Sequence, residues 1–316
     1  MKSLYKDYSE KEYLPIFFQP WWLDALAGQE NWEAVVAKKN DEIIGVMPYS
    51  ISKKFFFKTI KMPPLTQFLG PWIVYPDIKD SNKLSIDKAV MTELISKLPN
   101  FHKFSQCWNY LYKNWLPFYW KDFKQTTKYT YVLDYKCKLD EIWSSIKPNI
   151  KSDIQKAQKK HNLVIDENPN IEDFINLNKL VFERQGMISP YSDKSIRNIY
   201  SETLLRNSGK LFLAKDKHSN FHAGVFIIWD KKSAYYLLGG GDPDLRGSGA
   251  TSFCLWEAIK YCSDKTEKFD FEGSMIEPIE KFIRAFGAKQ FPYFLIEKTP
   301  SKFYRLFAAA KKSLKK

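Results

Sequence analysis

Two stretches of this chain hold residue types that can do chemistry. The first spans positions 239–251. Gly239, Gly240 and Gly241 close an apolar stretch, and Arg246, Gly247, Ser248 and Gly249 open a helical pattern that reaches about Tyr261. A strand that feeds a glycine-rich turn and then a helix aims bare backbone N–H groups and the positive end of a helix dipole at one spot. That spot suits an anion, typically a phosphate, and Arg246 adds a mobile positive charge. The plainer alternative is a tight turn with no ligand. The segment is neither a Walker loop nor a dinucleotide fingerprint. The second stretch is 268–275. Strand alternation predicts Phe269 and Phe271 on one face and Asp270 and Glu272 on the other. Two carboxylates at a strand end, followed by Gly273 and Ser274, can flank a cleft. One with a raised pKa can take a proton from an attacking amine. An exposed strand face or a structural ion pair accounts for the same residues. Lys281 and Arg284 follow on a predicted helix as partners or substrate clamps.

The elements that must position these segments read as a mixture. Strands are expected at 33–38, 42–50, 68–75, 129–134, 211–215, 222–229, 233–239, 267–272 and 291–297. Helices are expected at 10–27, 84–98, 139–160, 171–185, 193–207, 249–262 and 277–285. The pattern predicts α/β (α+β) layers, and 316 residues suffice for about two domains. A degenerate internal repeat agrees. Ala37 and Lys38 end one short strand and Gly45 and Val46 lie in the next; Ala214, Lys215, Gly224 and Val225 repeat that order. Residues 69–77 echo 238–244, but the first copy, at 75–83, lacks an Arg-Gly-Ser-Gly equivalent. The expected domains are 1–140 and 141–316, with the helix 139–160 at the boundary. That helix carries Lys147, Lys151, Lys156, Lys159 and Lys160 against Asp153, with Pro148 in its first turns. It is a solvated face or one wall of an anion-binding cleft. In the basic tail, Phe303, Leu306, Phe307, Ala310 and Leu314 share a helical face. A closing helix packed on its domain is the expectation, with a grip on anionic lipid as the weaker reading.

Composition bounds the rest. A net charge of +13 favours acidic partners, or reflects a solubility bias. The cysteines Cys107, Cys137, Cys254 and Cys262 have no metal-like spacing, so buried thiols in a reducing compartment are expected. The histidines form no ligand-spaced pair, and no metal site is expected. No apolar run reaches about 18 residues, so no membrane span is expected. The N-terminal residues lack the apolar core of a secretory signal. A cytoplasmic location is expected.

The strand, the turn with Arg246, Gly247, Ser248 and Gly249, the helix and the segment Asp270, Phe271, Glu272, Gly273 together resemble the GNAT acyltransferase fold. That fold is a mixed, largely antiparallel sheet flanked by helices. Its motif Arg/Gln-x-x-Gly-x-Gly/Ala holds the pyrophosphate of an acyl-CoA. Arg246 and Gly249 match, and Thr251 stands where the last Gly or Ala is usual. The chain resembles the FemAB-like branch more closely, with its two tandem GNAT-type domains. The carriers are Asn149, Ile150, Ile154, Lys156, Ala157 and Lys159 in a basic helix, the segment 255–260, and Asp270 to Gly273 followed by 282–287. They cover most of the C-terminal half; the N-terminal half matches through the repeat alone. Classical Fem enzymes transfer an amino acid from aminoacyl-tRNA to the peptide amine of a cell-wall precursor. Here Ile283 follows Phe282 where those enzymes usually have Lys, and no long coiled-coil arm is visible.

The resemblance implies acyl or aminoacyl transfer from acyl-CoA or aminoacyl-tRNA to a primary amine. The donor is a co-substrate, not a permanently bound cofactor. The acceptor class is an acidic or phosphorylated small molecule or a cell-envelope precursor, and tRNA is a candidate partner. Gly240, Arg246, Gly247, Ser248 and Gly249 are the implied donor-binding residues, with acceptor binding on the degenerate N-terminal side or in the cleft. Such a reaction needs orientation, proton removal and N–H groups for the oxyanion, with no metal and no nucleophilic triad. Glu272 or Asp270 is the expected proton acceptor, and Tyr236 or Tyr235 the donor to the leaving group. Lys151, Arg184, Tyr191 and Arg284 are candidates for binding the acceptor. The competing reading is a catalytically degenerate protein of this fold that binds nucleic acid or another anionic ligand.

Overall fold

Prolines divide two helices that periodicity alone joins, because a proline fits the first turn of a helix and breaks its interior. In the computed structural model, which describes residues 1–75 and 79–313, the helix expected at 10–27 is two: α1 (Lys2–Lys11) and α2 (Pro20–Ala27). The chain continues through β1 (Trp32–Lys39), β2 (Glu42–Lys54), β3 (Phe57–Lys61), β4 (Trp72–Ile73), α3 (Asp80–Ser96), β5 (Lys103–Cys107), α4 (Leu116–Tyr119) and β6 (Lys124–Asp134). The helix expected at 139–160 is α5 (Leu139–Ser145), a break at Ile146 and Lys147, α6 (Pro148–Gln155) and a widened helical turn over Lys156–Lys160. There follow β7 (Val164–Ile165), α7 (Ile171–Glu183), α8 (Asp193–Leu205), β8 (Gly209–Lys215), β9 (Phe221–Trp229) and β10 (Ser233–Gly241). The last elements are α9 (Ala250–Cys262), β11 (Lys268–Asp270), α10 (Glu277–Arg284), β12 (Lys289–Lys298) and α11 (Lys302–Ser313). Residues 76–78, which include the end of the expected echo at 69–77, and Leu314 of the tail lie outside the described residues.

Two compact units result, one of Met1–Lys128 with Pro292–Lys316, the other of Tyr129–Phe291. The sequence reading cut the chain at 140 and gave the tail to the second domain. The tail falls in the first unit because β12 pairs with β5 there, Leu295 opposite Cys107. The sheet of the first unit runs β1-β2-β3-β5-β12, with β4 beside β2. That of the second runs β7-β8-β9-β10-β11-β6. Each is antiparallel except for one parallel pair, β3 with β5 and β10 with β11.

The internal repeat is physical. Both hairpins change register at the repeated Ala-Lys step, between Ala37 and Lys38 and between Ala214 and Lys215. The repeated glycines sit under packed side chains. A Cβ on Gly45 would lie 2.3 Å from Val90 of α3, and one on Gly224 would lie 2.2 Å from Leu213 and 3.2 Å from Phe174 of α7. Each unit has its own core. Val35, Met47, Phe104, Trp108 and Phe118 centre the first; Val225, Ile227, Leu255, Ile259 and Phe269 centre the second.

Candidate active site

The second unit's parallel pair is short, and its shortness makes the site. β10 and β11 are in register only from Ser233 and Lys268 to Tyr235 and Asp270. β10 continues to Gly241, with a bulge against β9 between Tyr236 and Leu238. The chain after β11 turns away, through left-handed backbone at Glu272 (φ 60°) and Gly273 (φ 62°). Glycine is required at 273 by contact as well, since a Cβ there would sit 2.0 Å from the Tyr129 carbonyl oxygen. The strands therefore part beyond Asp270. The alternation expected through Glu272 stops at Asp270, because Glu272 is no longer in a strand.

Asp270 and Glu272 hold different positions. Asp270 is buried, and its Oδ1 accepts hydrogen bonds from the Thr130 hydroxyl and, at 2.8 Å, from the Glu272 backbone N–H. It thus fixes a backbone conformation that costs a non-glycine residue about 1–2 kcal/mol. Glu272 Oε1 is sealed from solvent and has no hydrogen-bond partner among the described residues. Burial, and then the neighbouring Asp270, push the Glu272 carboxyl well above the usual range.

The tyrosines line the same place. The Tyr236 hydroxyl lies against Gly239, where an added Cβ would come within 2.0 Å of it. Burial first, then Cys254, Tyr191 and Glu272, raise the Tyr236 phenol, which is held neutral and able to donate. Tyr191 donates to Asn178 Oδ1 at 3.2 Å, and the Asn178 amide donates to the Gly239 carbonyl at 2.7 Å. Burial, with a smaller contribution from Glu272, raises the Tyr191 phenol too. Glu272, Tyr236, Tyr191, Asn178 and Gly239 thus form one cluster where β10 and β11 separate.

A second part of the site lies at the start of α9. Residues Arg246–Ser248 form a tight helical turn, and Gly249 caps α9 in left-handed conformation (φ 79°) with no side-chain cap. The Ala250 N–H reaches the Ser248 hydroxyl at 3.4 Å, and the N–H groups of Thr251 and Ser252 are left to an anion or to solvent. The cavity here has a volume of about 330 Å³. Arg246, Ser248, Gly249 and Thr251 line it with Asp153, His222 and Phe282. Gly249 also has a packing reason, for its Cβ would lie 2.2 Å from the Asp153 carbonyl oxygen of α6. Gly240 lets α7 approach, a Cβ there lying 2.6 Å from the Asn178 backbone nitrogen. Arg246 and Gly247 are exposed.

The remaining candidates stand elsewhere in this unit. Lys151 reaches the Ser144 carbonyl at 3.0 Å and lies 5.6 Å from the Trp143 ring centroid. Arg184 is exposed at the end of α7. Arg284 is paired with Glu280 at 2.7 Å. Cys254 and Cys262 are buried, and burial pushes both thiols up, so neither is poised as a nucleophile. Among the described residues no group of His, Cys, Asp and Glu could hold a metal ion. Two histidines distant in sequence do meet: the His161 and His222 rings are 6.2 Å apart, and His222 Nε2 is 3.6 Å from Asp216.

Sequence reading passed over Asn178, Thr130 and His222. Asn178 had a signal. It stands among Phe174, Ile175 and Leu177 on the buried face of α7, where a polar residue needs a partner. Thr130 likewise opens a buried run in β6. His222 gave no signal, because its neighbours come from other elements.

Residues 144–276 match the acetyltransferase (GNAT) domain family. No curated protein sequence matches the chain. Among solved structures, FemX is similar over 93% of this chain and 95% of its own, at 13% identity and a TM-score of 0.64. The C-terminal domain of a putative lysylphosphatidylglycerol synthetase from Agrobacterium fabrum is similar over 86% of each chain, at 11% identity and a TM-score of 0.53. A conserved protein of unknown function from Bacteroides thetaiotaomicron is similar over 94% of this chain and 96% of its own, at 11% identity and a TM-score of 0.53. The parallel pair that parts beside a glycine-rich helix start thus lies within the stretch that matches the acetyltransferase (GNAT) domain model, in a chain whose fold is similar to that of FemX.

Proposed function

We propose that the protein is an N-acyltransferase that moves an acyl or aminoacyl group from a phosphate-bearing donor, acyl-CoA or aminoacyl-tRNA, to a primary amine. The observation that carries this reading is Glu272, whose Oε1 is buried without a hydrogen-bond partner among the described residues, in left-handed backbone where β10 and β11 part. Strain and an orphaned buried group are maintained only where something else requires them. The donor's phosphates sit at the start of α9, beside Arg246. Its acyl carbonyl lies between the parted strands. The acceptor nitrogen attacks that carbon, and a C–N bond forms. Glu272 takes the proton from the nitrogen. The bond from carbon to the donor sulfur or ester oxygen breaks, and Tyr236 supplies a proton to the leaving atom. Asp270 positions Glu272 through its backbone N–H. Tyr191 and Asn178 position the Gly239 segment. An amine on a cell-envelope precursor fits the acceptor class, and a basic chain fits an acidic acceptor.

The test is thermal stabilisation by coenzyme A, acetyl-CoA and charged tRNA, followed by mass spectrometry of an amine acceptor. One donor should raise the melting temperature and leave its acyl mass on the amine. Failure of every donor to bind, with Arg246→Ala indistinguishable from wild type, sinks the assignment. Salt-steep RNA binding without turnover would mark a binding protein instead.

A further inference from the structure

The first unit carries an apolar patch that no part of the acyl-transfer reading uses. The β2–β3 hairpin turns over Phe55 and Phe56, which are 77% and 74% exposed, while Phe57 points inward. α11 lies on that inward ring. Tyr304 and Phe307 each bring a ring centroid to 5.1 Å from Phe57. The tail helix is therefore anchored, but by Tyr304 and Phe307. The expected packing face that included Phe303 and Leu306 is not buried: they are 76% and 71% exposed. Four large apolar side chains thus meet water on one hairpin tip and one adjoining helix. Monomeric surfaces scatter single apolar residues but rarely gather them so.

Charge says what covers them. Lys53, Lys54, Lys61, Lys302 and Arg305 are exposed around the patch. No acidic residue occurs between positions 43 and 76, or from 298 to the end of the sequence. Beneath α11 is a groove of about 630 Å³, lined by Lys54, Lys61, Lys103, Ser52, Thr59 and Tyr304. Glu297 offsets Lys103 at 3.4 Å, and Glu30 and Glu33 share a cavity with Lys53 and Lys61, which leaves Lys54, Lys302 and Arg305 as the cations nearest the exposed rings. A second copy of this chain would bring the same cations against these. A nucleic acid would meet the cations and stack bases on the exposed rings, but it offers no apolar layer to Leu306. A lipid surface supplies both an apolar layer and a plane of phosphates.

We propose that this face docks the protein on an anionic phospholipid surface, with Phe55, Phe56, Phe303 and Leu306 entering the headgroup boundary and the surrounding lysines and Arg305 contacting phosphates. The docking is peripheral, since no described helix is long and apolar enough to cross a membrane. The test is co-sedimentation of the full chain with vesicles of phosphatidylcholine alone and with about a third phosphatidylglycerol. Wild type should pellet with the anionic vesicles and stay in solution with the neutral ones. Added salt should weaken the binding. Two double variants, Phe55→Ser with Phe56→Ser and Phe303→Ser with Leu306→Ser, should each lose more than about tenfold in partitioning. Lys53→Glu with Lys54→Glu should do the same, by charge alone. Phe303, Leu306, Lys53 and Lys54 are exposed, so their variants should keep the wild-type melting curve; Phe55 and Phe56 also touch Phe307 and Phe57, so their variant is read beside its own melting curve. Absence of vesicle binding, or equal binding by wild type and all three variants, overturns the proposal. So does a dimer in solution that the phenylalanine substitutions dissolve, which would make a second copy the partner.

Discussion

The two units are built on one plan and finished differently. Both have an antiparallel hairpin with a register change at an Ala-Lys step, a glycine under a packed side chain, and one parallel strand pair. In the second unit the third strand runs on into glycines and a bare helix start, and the fourth ends in Asp270 and the left-handed Glu272. In the first unit the third strand, β3, runs into Pro63 and Pro64, and β5 ends in Gln106 and Cys107, with no carboxylate. Gln106 is buried and its amide donates to the Pro48 carbonyl at 3.0 Å, while its Oε1 has no partner among the described residues, so a neutral amide stands here where the second unit has an acid. The same framework therefore holds a neutral amide in one unit and, in the other, a carboxyl that burial raises. The proposed chemistry uses the carboxyl.

The sharpest way to break this comparison is to neutralise that carboxyl. Glu272→Gln should lower kcat by about 10²–10⁴, the usual worth of a general base, with secondary structure unchanged by circular dichroism. Gln106→Ala should lower the melting temperature and leave kcat alone. If Glu272→Gln turns over normally, the distinction drawn here between the units is false.

The glycines give the next largest effect. Gly249→Ala meets the Asp153 backbone in a left-handed turn. Neither the φ of 79° nor a carbonyl oxygen can yield cheaply, so the loss should reach about 3 kcal/mol in urea unfolding. Gly45→Ala in the first unit comes closest to the Val90 side chain, at 2.3 Å, with ordinary backbone dihedrals. A side chain gives more readily than a carbonyl oxygen at a left-handed residue, and the loss should be nearer about 1 kcal/mol. Equal losses would mean that the turn at 249 is no more constrained than the hairpin glycine.

Arg246→Ala should be milder. It removes one exposed guanidinium from a site that keeps its backbone N–H groups. KM for the donor should rise about tenfold with kcat little changed, and the salt dependence of KM should flatten.

The order of strand, turn and helix around 239–262 could be read from sequence because each step has a local cause: apolar alternation, glycine, then an amphipathic run. The tandem plan could be read from Ala37, Lys38 and Gly45 against Ala214, Lys215 and Gly224 for the same reason. What could not be read depends on contacts between distant residues. β3 and β5 hid behind Lys58, Thr59, Lys103 and Ser105, which look like loop. Pro148 marked a helix start, but whether the helix behind it broke depended on packing. Glu272 looked like a strand residue because alternation is local, whereas its conformation is fixed by Thr130 and Asp270. The tail's packing face is turned from the expected one because Phe57, from a hairpin far away in the chain, takes Phe307 as expected but Tyr304 in place of Phe303 and Leu306.

The smallest effect should appear in stability against pH, and it isolates Glu272 from its reaction. The Glu272 carboxyl is raised by burial and by Asp270, so between its ordinary value and its raised one the folded protein holds a proton that the unfolded chain has lost. Stability therefore falls as pH rises across that window. Below the ordinary carboxylate range both states are protonated and the penalty vanishes. Glu272→Gln removes the titration, so the variant should match wild type near pH 4 and melt higher at pH 8, by on the order of a few degrees. Activity should run the other way in wild type. With the carboxylate as the proposed base, the rate should rise with pH along a limb displaced above the ordinary carboxylate range. A variant that melts lower than wild type at pH 8 would mean that Glu272 is a stabilising partner, as Gln106 is, and the two units would then differ in shape without differing in role.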